Sequence, residues 1–378
     1  MLPILRWRLP VHRLSGQSPA GGPPATLVTV GAAMALDALA ARLFVGSPTV
    51  EPLGSIPLAW LPSVLDRLGA DSDLTLACVP RAFARRFGDR YLHIPALVGF
   101  RLPVGVSTEA TLVGAARTVR QDARRPASAG YRWTFSRDPA DLERFYREIY
   151  RPFVAARFGA LGVPRAAETM RRDFRCGGLI WLRYGGRTVA AALARCDRRR
   201  LRWLASGVDP EWRDRAQPGP QFVLKPAACE LAIEAGLPEL DLGGTVPSLR
   251  DGVFRVKRAW GAVADSWDET HQELLVRWRE SGPAVQRWLH AVPLLFRARG
   301  GLSALSATDA GQPADLGAAL KLWRQLAPRG LGQLYLLGAP AWGSCGTDGR
   351  SVGMGPIWTC PAVDAAAINR AAAAGAAP

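Results

Sequence analysis

Only three of the 48 basic residues in this 378-residue chain are lysine, at positions 225, 257 and 321, and the other 45 are arginine. A lysine kept against that background points to a site that needs a compact ammonium and not a planar guanidinium. Lys257 stands in the densest context, the segment Asp251-Gly252-Val253-Phe254-Arg255-Val256-Lys257-Arg258-Ala259-Trp260-Gly261. A solvated lysine on a helix surface is the bland alternative there. Asp241 and Asp251 flank the turn Gly243-Gly244, and either carboxylate can orient an amine or take its proton. Each also has a structural reading. Asp241 can accept bonds from backbone amides beyond a strand, and Asp251 can N-cap the helix that carries Lys257.

Arg157 and Arg258 offer planar forks for a carboxylate or phosphate, against a default of surface ion pairs in so arginine-rich a chain. Trp260 reads as packing a helix against a sheet before it reads as a substrate contact. The run Arg198-Arg199-Arg200-Leu201-Arg202-Trp203 has the basic and aromatic mix of a nucleic-acid contact, yet it falls where a hairpin turn is expected, and exposed charge is ordinary there. Gly349-Arg350-Ser351-Val352-Gly353 matches a hydrolase nucleophile elbow. That fold places its histidine after the serine, and His12, His93, His271 and His290 all precede it. The six cysteines include no close pair of the kind structural zinc sites use, so no metal is expected. Cys176 and Cys196 fall opposite one another across the expected hairpin and read as free thiols.

The elements that position these residues follow from periodicity. In a first lobe, 26–30, 74–79 and 91–97 read as strands and 32–43 and 60–68 as helices. In a second, Asp138-Pro139 opens a helix with Leu142, Phe145, Tyr146, Ile149 and Phe153 at helical spacing. Strands at 179–184 and 188–194 surround Gly185-Gly186, which suits a tight hairpin, and 201–208 continues an antiparallel meander. A helix over 220–235 contains Pro226, which must start or kink it, and a strand over 239–242 runs into Gly243-Gly244. Further on, 268–288 and 315–326 read as helical and 333–337 as a strand.

The net charge of +16 ordinarily implies a polyanionic partner, but an arginine-, alanine- and glycine-rich composition is also what a codon bias toward G and C produces. The most apolar stretch, 25–45, holds Asp37 and Arg42 and is too polar to span a bilayer. A soluble, cytoplasmic protein is therefore expected.

Three places resemble the Fem-type (FemAB-like) branch of the GNAT acyltransferases. They are Phe145-Tyr146 with Pro152 and Arg157-Phe158-Gly159; Gly207-Val208-Asp209-Pro210-Glu211; and Leu240-Asp241-Leu242-Gly243-Gly244 with the Asp251 to Gly261 segment. Their order and spacing carry the resemblance over roughly a third of the chain.

The resemblance implies an α/β fold, a GNAT-like mixed sheet flanked by helices, with a second, smaller N-terminal α/β lobe of degenerate GNAT type. The expected organisation is a basic arm over 1–24, that lobe over 25–130, a catalytic lobe over 131–300, an extension over 301–340 and an unstructured Gly/Ala-rich tail over 341–378. The sheet is expected to splay between 201–208 and 239–242, with the acyl donor in the split and its phosphate at the N-terminus of the intervening helix. The resemblance then makes Lys257, whose ammonium would stabilise the oxyanion of a tetrahedral intermediate, together with Asp241 and Asp251 the catalytic candidates, and Arg157, Arg258, Trp260, Gly243 and Gly244 the substrate-binding ones. Arg215, Gln217 and Gly219 stand where a donor-binding loop belongs. The segment departs from the GNAT pattern, because Pro218 and Pro220 withhold two amide donors. Acyl-CoA and aminoacyl-tRNA are both candidate donors, and a small molecule or glycan bearing an amine is the candidate acceptor, with a cell-envelope or polysaccharide role in view. The rivals are an inactive relative that binds a phosphorylated or glycan ligand, and a basic RNA-associated protein.

Overall fold

A computed structural model describes residues 7–19, 22–124, 130–158, 164–212, 219–266, 270–278, 282–298, 301–308, 316–337, 352–354, 357–360, 365–366 and 368. The chain divides into two compact units: Met1–Gly99 with Gly244–Arg255 and Ala264–Pro378, and Phe100–Gly243 with Val256–Val263. The boundary expected near 130 therefore falls at 99, and the polypeptide crosses between units again beyond residue 243.

The first unit holds two sheets. One has the order β3-β1-β2-β4-β13-β5, from β1 (Arg8–Gln17), β2 (Pro24–Val30), β3 (Thr49–Pro57), β4 (Leu74–Pro80), β5 (Leu92–Pro95) and β13 (Gln272–Arg277). Residues 8–17, expected within a basic arm, are thus a strand between two partners. Residues 272–277, expected as helix, are a strand because Leu274 and Val276 enter one core while Leu275 enters another. A short apolar run bounded by turn residues cannot be told from a buried helix by periodicity, and Gly282-Pro283 restarts the chain as the helix Pro283–Ala291.

The other sheet has the order β14-β15-β16-β18-β17, from β14 (Leu294–Ala298), β15 (Gly301–Ala307), β16 (Leu331–Leu337), β17 (Val352–Met354) and β18 (Ile357–Cys360). The tail expected to lack structure after 341 contributes its last two strands. Ile357, Ala365 and Ile368 are fully buried, and β18 pairs in parallel with β16.

The second unit is built on a seven-stranded sheet of order β12-β6-β11-β10-β9-β8-β7. Its strands are β6 (Val98–Pro103), β7 (Tyr131–Ser136), β8 (Gly177–Tyr184), β9 (Arg187–Cys196), β10 (Arg200–Val208), β11 (Glu239–Thr245) and β12 (Val263–Asp265). β7 to β10 form the antiparallel meander, turning between β8 and β9 at Gly185 and Gly186, both at positive φ (55° and 79°), as a two-residue hairpin requires. Residues 189–194 of β9 are all fully buried. Leu179, Trp181, Ala191 and Leu193 face a core with Phe145, Ile149, Met170 and Phe174, and the helix Pro220–Glu234 also packs on β8, β9 and β10. Four alanines in β9 let helices approach closely, an arrangement read in sequence as a continuous apolar run. Cys176 and Cys196 are free thiols whose backbones bond across this edge, Cys196 N–H to Cys176 O at 3.2 Å.

Candidate functional site

The two central strands of the second unit run in parallel over only three residue pairs, Arg200↔Glu239, Leu201↔Leu240 and Arg202↔Asp241. β10 nevertheless keeps its ladder to β9 as far as Val208, with one extra residue inserted between Trp203 and Ala205. The sheet therefore forks after Arg202, at the position expected from the sequence.

Asp241 holds the fork at its last paired position. Its Oδ1 accepts the Gly243 N–H at 2.8 Å, and its Oδ2 faces Arg202 Nε at 3.3 Å and Arg200 Nη1 at 3.6 Å. The carboxylate is buried, and these three contacts join the end of the parallel pairing to the turn at Gly243. Burial pushes the Arg202 guanidinium below the usual arginine range, and Asp241 opposes that shift. Two arginines of the basic run are thus committed to Asp241. A third position closes the turn, where the Arg199 N–H donates to Asp197. Gly243 sits at φ 73°, a conformation that glycine adopts without strain, and this turns β11 away from β10.

Lys257 is buried at 7% exposure, and its Nζ donates to Gly243 O at 2.9 Å and lies 5.6 Å from the centre of the Phe100 ring. Its ammonium ties the turn at the fork to the helix Gly252–Ala259. Trp260 and Gly261 follow that helix. Gly261 is at φ 73°, and a Cβ there would lie 2.6 Å from the backbone of Gly114; only glycine fits. Asp251, in the first unit, is a cap: its Oδ1 accepts from the N–H groups of Val253 at 2.9 Å and Phe254 at 3.0 Å and from Thr245 Oγ1 at 2.8 Å. Arg42 lies 3.5 Å from its other oxygen. Gly244, also in the first unit, meets Leu97 at 3.0 Å from where its Cβ would stand.

A residue outside the candidate set lies at the fork. Lys225, on the helix Pro220–Glu234, places its ammonium 5.9 Å from the centre of the Trp203 ring and 5.3 Å from that of Trp260. Trp203 is the first residue of β10 beyond the last pair with β11. Desolvation by burial lowers Lys225 from the ordinary 10.5 to about 8, and the Arg157 charge pushes the same way. Cys229, one turn along the helix, is pushed up to about 12 by burial and is a neutral thiol. The rarity that singled out Lys257 applies equally to Lys225, but no motif surrounds it.

Of the remaining candidates, Arg157 is exposed on the helix Arg151–Phe158, with its guanidinium 5.8 Å from the Phe153 ring centre. Trp260 is buried at 2% exposure, with Lys225 on its ring, and Arg258 is half-buried beside it in sequence. Gly219 is the N-cap of the Pro220–Glu234 helix and Pro220 its first residue, a position that lacks an N–H. Arg215 and Gln217 lie outside the described residues. A cavity of about 430 Å³ lined by Arg144, Glu148, Arg183, Arg187, Thr188 and Asp209 among others includes none of these residues. Among the described residues no cluster of potential metal ligands occurs and no helix is long and apolar enough to cross a membrane.

The family model of the acetyltransferase (GNAT) domain matches residues 114–258. A search of curated proteins finds no match. Among solved structures, the chain is similar to FemX at 12% identity, covering 70% of this chain and 84% of that one with a TM-score of 0.40. It is similar to L-PGS from Bacillus licheniformis at 13% identity, 70% and 83% coverage and a TM-score of 0.36. It is also similar to a tandem GNAT protein from the clavulanic acid biosynthesis pathway at 14% identity, 68% and 79% coverage and a TM-score of 0.28. The stretch that the acetyltransferase (GNAT) family model matches, residues 114–258, runs from the backbone that closes on Gly261 through the forked sheet to Lys257 and Arg258.

Proposed function

We propose that the protein is a Fem-like N-acyltransferase, which moves an acyl or aminoacyl group from a thioester or ester donor in the fork to an amine on a small molecule or glycan. The observation that carries this reading is the parting of β10 from β11 after three residue pairs inside a GNAT domain, which leaves strand edge for a donor's extended arm. In the reaction the acceptor nitrogen attacks the donor carbonyl, the C–N bond forms, and the C–S or C–O bond breaks. The nitrogen gives up a proton and the departing sulfur or oxygen gains one. Lys257 and Gly243 shape the turn beside the fork, Asp241 locks its last pair, and Trp260 sets its ring beside Lys225.

Acyl-CoA and aminoacyl-tRNA both have the required chemistry, and the missing N–H of Pro220 at the helix start counts against a site that depends on amide donors for a pyrophosphate. The test is incubation of the full chain with acetyl-CoA, or with a charged tRNA mixture, and a set of amino sugars and amino acids, followed by mass spectrometry. A protein-dependent amide product is expected with one donor. Acceptor binding without a product from either donor would favour an inactive relative, and binding that only follows phosphate content and collapses with salt would favour an RNA-associated protein.

A further inference from the structure

The cavity of about 430 Å³ in the second unit lies away from the fork. Its strand residues, Arg183, Arg187 and Thr188, come from β8 and β9, which stand on the side of β10 opposite to β11 in the sheet. Asp209 joins them from the residue after β10. The volume falls in the range of small-molecule sites, but the lining is charged where such sites are mostly apolar.

Two of the charged walls are fixed in advance. Residues Phe145–Tyr150 are wound as a π-helix, a rare form that recurs at functional sites. It buries Phe145, Ile149 and Tyr150 and leaves Arg144 and Glu148 at the cavity. Arg144 is held from three sides. Its guanidinium carbon lies 5.1 Å from the centre of the Trp181 ring, its Nη2 donates to Thr188 Oγ1 at 3.4 Å and its Nε to Glu148 Oε2 at 3.2 Å. Asp209 is fixed at the opposite wall, where its N–H donates to Val189 O at 2.9 Å and its Oδ1 accepts the Glu211 N–H at 2.9 Å.

The other two arginines are less engaged. Among the described residues no carboxylate pairs with Arg183, and Arg187 meets only Glu211 at 3.8 Å, with both side chains largely exposed, a pair of small worth that a ligand can displace. Arg144 is matched by Glu148, so two guanidinium forks and the Asp209 carboxylate face the same space. A fork suits a carboxylate, and Asp209 suits an ammonium.

We infer that this cavity binds a small zwitterion with two carboxylates and one ammonium, an acidic amino acid or a dipeptide that contains one, with its carboxylates on Arg183 and Arg187 and its ammonium on Asp209. The inference does not rest on the reading of the fork as the donor site.

The test is calorimetry on the full chain at physiological ionic strength with L-glutamate, with L-alanyl-L-glutamate and with glutarate, which lacks the amine. Wild type is compared with Arg183→Gln, Asp209→Asn and, as a control for loss of charge elsewhere, Arg198→Gln at the exposed turn between β9 and β10, after thermal melts confirm that all three variants fold. Wild type is expected to bind at least one of the two amino-bearing probes at a single saturable site, and glutarate about 10-fold or more weakly. Arg183→Gln and Asp209→Asn are each expected to weaken the binding by about 10-fold or more, as the loss of one hydrogen bond to a charged group implies, while Arg198→Gln binds like wild type. Absence of saturable binding of both amino-bearing probes by wild type overturns the inference. So does equal affinity of wild type and either cavity variant, an equal loss in Arg198→Gln, or binding of glutarate as tight as that of the amino-bearing probe.

Discussion

Replacing Lys225 by methionine should stabilise the free protein at neutral pH. The folded lysine is lowered from 10.5 to about 8, and at about 1.4 kcal/mol per unit its charge costs about 3 kcal/mol in the native state. The two indole contacts at 5.9 and 5.3 Å offset roughly 1–2 kcal/mol of that. Methionine keeps the length and apolar stem, so a net gain of about 1–2 kcal/mol remains, roughly 2–8 °C in Tm for a unit of this size. The sign follows from linkage. Between about 8 and 10.5 the unfolded chain holds a proton that the folded lysine has lost, so wild-type stability rises with pH through that window. The burial penalty is full below about 8 and gone near 10.5. Thermal melts of wild type and Lys225→Met at pH 7 and pH 10 measure it, and the advantage of the variant should shrink at pH 10. A methionine variant that is less stable than wild type by the same margin at both pH values would show that Lys225 is not a desolvated charge, and the reasoning would fail.

Asp241→Ala should cost about 3–5 kcal/mol in chemical denaturation, because it leaves the buried Arg202 without its carboxylate; a loss under about 1 kcal/mol would mean that the fork does not depend on it. Gly261→Ala should cost more than about 2 kcal/mol, since its φ is 73° and its Cβ would stand 2.6 Å from Gly114, and unchanged melting would contradict that close approach. Lys257→Met should lose about 1–3 kcal/mol with the bond to Gly243 O, while Lys321→Met in the helix Leu316–Leu326 melts like wild type. A chain ending at Ser344 removes β17, β18 and the buried Ile357 and Ile368, and should melt more than about 4 °C lower; unaltered melting would show that these strands add nothing.

The second unit was legible in the sequence because its signals are local. Gly185-Gly186 marks a hairpin by the φ values it permits, and the alternation of strand and helix around it leaves few topologies. The Asp251 to Gly261 segment was also visible, but most of it turns out to encode shape: Asp251 caps, Phe254 is buried, and Gly261 is dictated by a neighbour more than 140 residues away in the chain. Lys225 stood out only by its rarity, for the opposite reason. Its partners Trp203 and Trp260 come from elements distant in sequence, and a single lysine inside a helix carries no pattern. The first unit was least legible because β13 joins its sheet between β4 and β5, strands far back in the chain, a pairing that composition and periodicity do not reveal, while β1, which pairs with its neighbour β2, lies in a stretch whose arginines read as an arm.

The central claim is that the acyl donor lies where β10 leaves β11. Hydrogen exchange monitored by mass spectrometry, on the full chain with and without coenzyme A and separately with deacylated tRNA, tests it most directly. One of the two ligands is expected to slow exchange in Trp203–Val208, the part of β10 past its last pair with β11. The same ligand should slow exchange at the start of the Pro220–Glu234 helix, while β7 and β8 stay unchanged. Protection by neither ligand in 203–208, or protection confined to segments away from the fork, would contradict the account.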